Sequence, residues 1–378
     1  MQYVPFNDLG FDVSRLGFGT MRLPTMQQED KTVIDRAEAI RMIRHAIDSG
    51  VNYVDTAYMY HNGESEIVTG LALKDGYREK VALTTKMPPW YVNEKGDLDR
   101  LLDEQLKKLD VPYLDFYILH AMNSGTFDKM QACDYKEFLS RAKKDGRIRH
   151  AGFSFHDNNE TFHRILDDWD EWEMAQIQFN YLDADKQATE EGLHYAGKRG
   201  VGIVIMEPLR GGSLAKAPGK IGEMMAANER KLSPVEWSFR YIADFPEVKT
   251  ILSGMSNMAQ VEDNLKIFDH LTVGGMTDAD KKFIEEVKQA YLARMPIGCT
   301  GCRYCMPCPN GVAIPNVFSN YNEGNMLDNV DGMKRRYAEM IKEGTDGSKC
   351  LECGACESIC PQQLPIIDWL KRVDNELK

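Results

Sequence analysis

Four side chains in this sequence could together move a proton. Asp55 and Tyr60 lie in DTAYMYHNGESE, Lys86 closes KVALTTK, and His120 closes LDFYILH. A phenol has a pKa of about 10 and needs help to act near neutral pH. A neighbouring ammonium favours the phenolate and lowers that pKa, and a carboxylate can hold the ammonium in place. An imidazole can orient a carbonyl oxygen by hydrogen bonding, at the distance the acid requires. The set therefore suits delivery of a proton to a carbonyl oxygen while a hydride donor faces the carbon.

A second chemistry sits near the C-terminus. Of nine cysteines, only Cys133 precedes position 299. The others form two runs: Cys299, Cys302, Cys305, Cys308–Pro309, and Cys350, Cys353, Cys356, Cys360–Pro361. The second run is C-x2-C-x2-C-x3-C-P, in which three thiolates wrap one corner of a cubane and the fourth serves a second cluster. The first run has x2 before its last cysteine, one residue short of the pattern. The expected ligand sets are Cys299, Cys302, Cys305 and Cys360 for one [4Fe-4S] cluster, and Cys350, Cys353, Cys356 and Cys308 for the other. Two zinc tetrahedra are the rival, although zinc sites usually pair two C-x2-C knuckles. Cys133, in MQACDYKEF near an expected helix start, is given no ligand role.

The elements that would position these groups read as a repeat. Apolar, β-branched runs at 14–20, 52–57, 80–86, 114–120, 150–155, 175–180, 202–208 and 248–254 alternate with amphipathic segments. AEAIRMIRHAIDSG (37–50) and DLDRLLDEQLKKLD (97–110) place apolar residues every three to four positions, and Gly50 stands where a helix end is expected. Eight strands, each followed by a helix, predict a closed (β/α)8 TIM barrel. In such a barrel the C-terminal ends of the strands share one mouth, so Asp55, Tyr60, Lys86 and His120 converge there. The first thirteen residues break the repeat and predict a hairpin beneath the barrel. A helix over 277–293 leads on to the cysteine-rich region, where the stretch between the two cysteine runs, 333–344 included, and 366–377 also read as helical.

DTAYMY, the strand ending in TTK, and FYILH resemble the Asp, Tyr, Lys and His tetrad of the aldo-keto reductases. The resemblance covers roughly residues 3–270 and includes GFGTMR, IRHAGFS, QIQFNY, EPLRGG and LSGMSNMAQVEDN. It implies an NAD(P)-dependent oxidoreductase in which Tyr60 is the general acid, Lys86 and Asp55 tune it, and His120 orients the substrate. It also implies that Ser154 and Gln176 hold the nicotinamide carboxamide, with Gly19, Thr20 and Met21 near the nicotinamide ribose. Pro208, Leu209, Gly211 and Gly212 would meet the pyrophosphate, and Gly254, Ser256, Gln260 and Asn264 the adenosine half. Three positions depart from the family: Met206 replaces an aromatic platform for the nicotinamide, Phe155 replaces an Asn, and Ser256 and Gln260 replace basic residues that grip a 2′-phosphate. NADP(H) and NAD(H) are both open, with Arg210 beside the pyrophosphate loop as a compensating cation. The extension resembles the α-helical ferredoxin type, giving expected domains of 1–292 for the barrel and 293–378 for the iron–sulfur unit.

The bulk composition agrees with an enzyme. The chain has 378 residues and a net charge of −12, from 58 acidic against 46 basic side chains. That balance argues against nucleic acid and anionic membranes as partners. The N-terminus carries no signal-peptide pattern and no run is long and apolar enough to span a membrane, so a cytoplasmic protein is expected. The expected ligand is a small carbonyl or alcohol. Its identity is not encoded in any recognisable way in 87–96, 121–133 or 210–230. No flavin motif is present to split a hydride into single electrons. The clusters would therefore exchange electrons with a redox partner protein, or be structural, or sense oxygen. The second functional reading, motivated by Met206 and Phe155, is an electron-transfer protein whose barrel binds nicotinamide without carbonyl turnover.

Overall fold

The computed structural model describes residues 1–29, 31–299 and 301–378. Its strands are β1 (Tyr3–Pro5), β2 (Asp12–Ser14), β3 (Leu16–Gly19), β4 (Thr25–Gln28), β5 (Lys31–Ile34), β6 (Tyr53–Asp55), β7 (Ala82–Met87), β8 (Leu114–Met122), β9 (Ile148–Phe155), β10 (Met174–Gln178), β11 (Gly202–Met206) and β12 (Val248–Gly254). β3 and β6 to β12 close a parallel barrel in chain order, β12 pairing back onto β3 through Gly254 opposite Gly19. All eight barrel strands overlap the apolar runs that predict them, to within two residues at either end, and the TIM-barrel fold is thereby established.

The floor of the barrel explains the residues before the repeat. β1 and β2 form an antiparallel hairpin whose Phe6 packs on Phe116 with ring centroids 4.8 Å apart. Phe6 joins Val13, Tyr53, Phe116, Ile118, Met174, Val204 and Leu252 in one buried cluster, so the hairpin plugs the lower end. Gly202 is needed there, since a Cβ would stand 2.6 Å from the Phe6 ring. A second hairpin, β4 with β5, is absent from the sequence reading. Its TMQQ strand is exposed throughout and carries no alternating pattern to find.

Contacts divide the chain into two compact units: Met1–Gly211 with Glu236–Ala279, and Gly212–Val235 with Asp280–Lys378. This division differs from the boundary expected at 292/293, and local bonds account for it. Asp280 pairs with Arg230, tying the helix Asp278–Leu292 to the 212–235 segment. Arg294 Nε donates to Asn325 O at 3.2 Å, and Asn322 brackets Ile297 through its N (2.9 Å) and O (2.6 Å). In the second unit the helices Ile314–Leu327, Val330–Glu343 and Ile366–Leu377 enclose a core of Phe318, Tyr321, Tyr337 and Leu370, among others. Among the described residues no helix is long and apolar enough to cross a membrane.

Candidate active site

The parallel register brings the strand ends level. Asp55 lies opposite Gly19 on β3 and Thr84 on β7, and Lys86 is the penultimate residue of β7. Tyr60 opens the short 3-10 turn Tyr60–Gly63, where His61 and Asn62 take left-handed φ values of 50° and 57° and fold the chain back towards the barrel. His120 sits at an irregularity that the sequence does not announce. The pairing of β8 with β9 slips between Leu119 and Met122, and Ala121 has φ +50°. Such a bulge re-aims its neighbours, and Ala121 N is anchored to Ser154 Oγ at 2.7 Å.

Lys86 is the centre of the constellation. Its buried Nζ donates to Asp55 Oδ1 at 2.6 Å, to Thr56 O at 2.8 Å and to Tyr60 OH at 3.3 Å. The three acceptors exhaust an ammonium's donors and fix it beside the phenol. Burial pulls the Lys86 ammonium down, but Asp55 and Tyr60 outweigh it, so Lys86 is held protonated above the ordinary amine value. Burial pushes Tyr60 above the ordinary phenol value, and Lys86 offsets only part of that rise. Lys86 thus lowers the phenol in the expected direction, but desolvation outweighs it and the phenol keeps its proton. Burial, with Lys86 next, drives His120 well below the ordinary imidazole value. His120 is thus neutral, its buried Nδ1 has no partner among the described residues, and its ring lies 6.1 Å from Tyr60 and 5.3 Å from Trp90.

Sequence reasoning missed the groups behind this centre. Gln105 Nε2 donates to Lys86 O at 3.0 Å and to Glu66 Oε1 at 2.6 Å, while Thr85 Oγ1 also donates to Glu66 Oε1. Tyr117 OH completes the network on Gln105 Oε1 at 2.7 Å. The helices Ser65–Ala72 and Gly96–Leu109 supply Glu66 and Gln105, so two buried polar side chains hold the end of β7. Polar residues on otherwise apolar helix faces were the available signal.

The remaining expected residues are placed as follows. Thr20 is buried, with Oγ1 donating to Asp55 O at 3.0 Å, whereas Met21 is exposed. Ser154 and Gln176 are neighbours across β9 and β10, and the buried Gln176 Oε1 has no partner among the described residues. Met206 ends β11 and is half-buried. Pro208 and Leu209 lead into Gly211, and both Gly211 (φ +66°) and Gly212 (φ +92°) adopt backbone that glycine tolerates best. Gly254 ends β12, and Ser256 Oγ donates to Arg22 O at 2.8 Å. Gln260 Oε1 accepts from Ser256 N at 2.7 Å, and the buried Asn264 donates to Ser253 Oγ at 2.8 Å. Those two side chains thus stabilise the segment itself. Arg210 pairs with the buried Asp183 at 2.9 Å.

In the second unit the thiols fall into two groups. One cavity is lined by Cys299, Cys302, Cys305 and Cys360, with Ile314 and Phe318. The other is lined by Cys308, Cys350, Cys353 and Cys356, and by Cys305, which lines both. Cys302 and Cys353 are exposed, while the other six are half-buried. Among the described residues no three His, Cys, Asp or Glu side chains converge tightly enough to grip a single ion. The thiols instead ring a volume. Burial pushes Cys305 up, and Cys356 up to about 11.

Comparison with known proteins agrees with both halves. Residues 15–281 match the aldo/keto reductase family, and residues 298–364 match the 4Fe-4S dicluster domain. The chain is 27% identical over 219 residues to probable aldo-keto reductase 1 of Glycine max, a match spanning 55% of this chain and 60% of that protein. It is 24% identical over 336 residues to the NADH-specific methylglyoxal reductase of Escherichia coli (strain K12), covering 77% of this chain and 99% of that protein. An aldo-keto reductase from Klebsiella pneumoniae, solved in complex with NADPH, superposes with a TM-score of 0.61 at 20% identity, over 76% of this chain and 95% of that one. That last likeness shows the fold. With the family match covering most of its length, the chain belongs to the aldo/keto reductase family of NAD(P)-dependent oxidoreductases and carries a C-terminal 4Fe-4S dicluster domain.

Proposed function

We propose that the barrel reduces a small aldehyde or ketone with NADPH or NADH, Tyr60 supplying the proton, and that the extension holds two [4Fe-4S] clusters. One observation carries the first half: a single buried ammonium, Lys86, touches both the Asp55 carboxylate and the Tyr60 phenol, beside a neutral His120. When bound, the nicotinamide supplies a hydride to the carbonyl carbon. The chain's own groups do the rest. His120, uncharged, can hydrogen-bond the carbonyl oxygen without competing as an acid. The Tyr60 O–H bond breaks as the new O–H bond forms on the substrate, and the phenolate left behind is stabilised by Lys86. Solvent then returns the proton to Tyr60.

The cofactor fits the residues present. A carboxamide offers N–H donors and a carbonyl acceptor. Gln176 Oε1 is a buried acceptor without a partner among the described residues, and Ser154 Oγ accepts from Ala121 N, leaving its own hydrogen to donate. Gly211 and Gly212 bare the backbone where a pyrophosphate would approach. Ser256 and Gln260 put no cation where a 2′-phosphate would be gripped, so NADH, the cofactor in the name of the E. coli relative, is tried beside NADPH. Methylglyoxal, named for that E. coli relative, is the first substrate to try. For the clusters, the reading is supported by Cys360 sharing a cavity with the first run and Cys308 one with the second, although Cys305 lines both cavities. The reading takes the enzyme as cytoplasmic, where thiols stay reduced.

The test is an anaerobic assay of the purified protein. NADPH or NADH consumption with methylglyoxal and other short aldehydes is the expected result, together with about eight irons per chain. Tight nicotinamide binding without turnover of any carbonyl or alcohol in the panel would overturn the reductase reading.

A further inference from the structure

The end of β7 is gripped from outside the barrel by polar side chains that the proton transfer itself does not use. Glu66, Thr85, Gln105 and Tyr117 are each 0% exposed. A buried donor or acceptor left unpaired is costly, so the orientation of each group is tightly constrained. Lys86 O can only accept, and Glu66 Oε1 already receives Thr85 Oγ1 at 2.7 Å. The Gln105 amide must therefore turn its NH2 to both, at 3.0 Å and 2.6 Å, and its oxygen to Tyr117 OH at 2.7 Å. Burial pushes the Glu66 carboxyl up, and Lys108 Nζ, 3.6 Å from Oε2, works against that rise.

The bond to Lys86 O falls where the sheet runs out. Thr84 O still accepts from Thr56 N at 2.9 Å, but β6 itself has ended at Asp55. Side chains alternate along a strand, so Thr85 faces the helices while Lys86 faces the mouth. Gln105 thus holds the backbone of the residue whose side chain does the chemistry. Of the three contacts of Lys86 Nζ, those to Asp55 Oδ1 (2.6 Å) and Thr56 O (2.8 Å) are short, and the one to Tyr60 OH (3.3 Å) is the longest. If the end of β7 shifts, the ammonium stays with Asp55 and Thr56, and the contact with Tyr60 is lost first.

We propose that Gln105 is a positioning residue for the proton transfer: its bond to Lys86 O keeps the Lys86 ammonium beside the Tyr60 phenolate as that forms, and Glu66 keeps Gln105 turned to make the bond. The proposal rests on the reading of Tyr60 as the proton donor. Gln105 stands on the helix side of β7 and reaches the reaction only through Lys86. The charge it serves develops as the proton leaves Tyr60, so its loss shows in the rate of the chemical step and not in cofactor affinity.

The test compares wild type with Gln105→Met, a side chain of similar length without hydrogen-bonding groups. Anaerobic, iron-replete full-length protein is preloaded with NADH or NADPH and mixed with methylglyoxal, in light and in heavy water. The amplitude of the single turnover reads the fraction of active molecules, and its rate constant reads the chemical step. The rate constant should fall about 10–100-fold, the loss that a displacement of about 1 Å can cause. The nicotinamide dissociation constant should stay the same, and the solvent isotope effect should be at least as large as in wild type. A merely structural role would lower the amplitude alone. That result, or a rate constant within about twofold of wild type, would overturn the proposal. So would a slowed variant with a smaller isotope effect, because the slow step would then not be the proton's. If Gln105→Met yields too little folded protein, Glu66→Gln carries the same test, with an expected fall of at least about threefold; an unchanged rate constant there overturns the proposal. Wild type that reduces no carbonyl, or Tyr60→Phe as fast as wild type, sinks the proton-donor reading and this proposal with it. An active wild type whose Gln105 and Glu66 variants are indifferent sinks the positioning role alone.

Discussion

Replacing Lys86 by Met removes the ammonium that faces Asp55 Oδ1 at 2.6 Å, in a place where the two residues are only 1% and 2% exposed. Breaking a buried ion pair by deleting one partner costs about 3–5 kcal/mol, because the remaining charge keeps its desolvation penalty. Burial already pushes the Asp55 carboxyl up even with Lys86 present, so without Lys86 it escapes part of that penalty by taking a proton. A group whose folded pKa lies above its unfolded value, about 3.9 for Asp, contributes stability at low pH that is lost as the pH rises through the folded value. The deficit of Lys86→Met should therefore be larger at pH 8 than at pH 5. Native-state hydrogen exchange of the β6 and β7 amides reads the barrel separately from the second unit, which whole-chain denaturation would not. The opening free energy of these strands should drop by about 3–5 kcal/mol at pH 8. Asp55→Asn/Lys86→Met should recover much of it, since neither charge is left buried. A single-variant loss below about 1 kcal/mol, the range of exposed pairs, would refute the reasoning. So would a double variant as unstable as the single.

Carbonyl reduction needs the protonated phenol, and burial holds Tyr60 above its ordinary value while His120 lies well below 6.5. The reduction rate should be flat from pH 6 to 9, falling only towards about pH 10 and beyond; a titration centred near 6.5 in the rate profile would mean that His120 carries a proton after all. Cys350→Ser should lose about four irons and keep about four, because it removes a ligand from one thiol group only; loss of all iron, or of none, would show that the eight thiols do not divide as drawn. Gly70→Ala should destabilise the barrel by about 1–3 kcal/mol, since the added Cβ would stand 2.3 Å from Leu109 O. Native-state hydrogen exchange of the β6 and β7 amides is again the check, and an unchanged opening free energy would mean that the two helices can part freely.

Much of this architecture was legible because two strong signals coincide. The barrel strands are short apolar runs bounded by helices with a 3.6-residue apolar period, and ILH, TTK and YVD end where side chains must face one mouth. The helix Ile366–Leu377 matches the segment read as helical, its apolar residues falling on one face. The misses have local causes. The β8 irregularity at Ala121 needs a left-handed alanine, which no composition rule marks. The rise of the Tyr60 pKa depends on how deeply the ring is enclosed, a tertiary quantity. Helix Ile314–Leu327 lies in the stretch between the cysteine runs that reads as helical, but its packing is not legible there, because PNVFSNYNEGNM mixes polar and apolar residues without a clean stripe; Asn320 and Asn322 are buried, bonded to Met333 O and Ile297 O. The grouping of 212–235 with the extension rests on contacts such as Arg230 with Asp280, between residues far apart in sequence.

The most direct test of the central claim is single-turnover reduction by Tyr60→Phe. The phenol ring is kept and only its hydroxyl, 3.3 Å from Lys86 Nζ, is lost. Iron-replete wild type and variant, each preloaded with NADPH or NADH, are mixed anaerobically with methylglyoxal, and cofactor oxidation is followed by its absorbance. The account predicts a rate reduced by about 10²–10⁴-fold, with the nicotinamide dissociation constant essentially unchanged. A variant that keeps more than about a tenth of the wild-type rate would contradict Tyr60 as the proton donor.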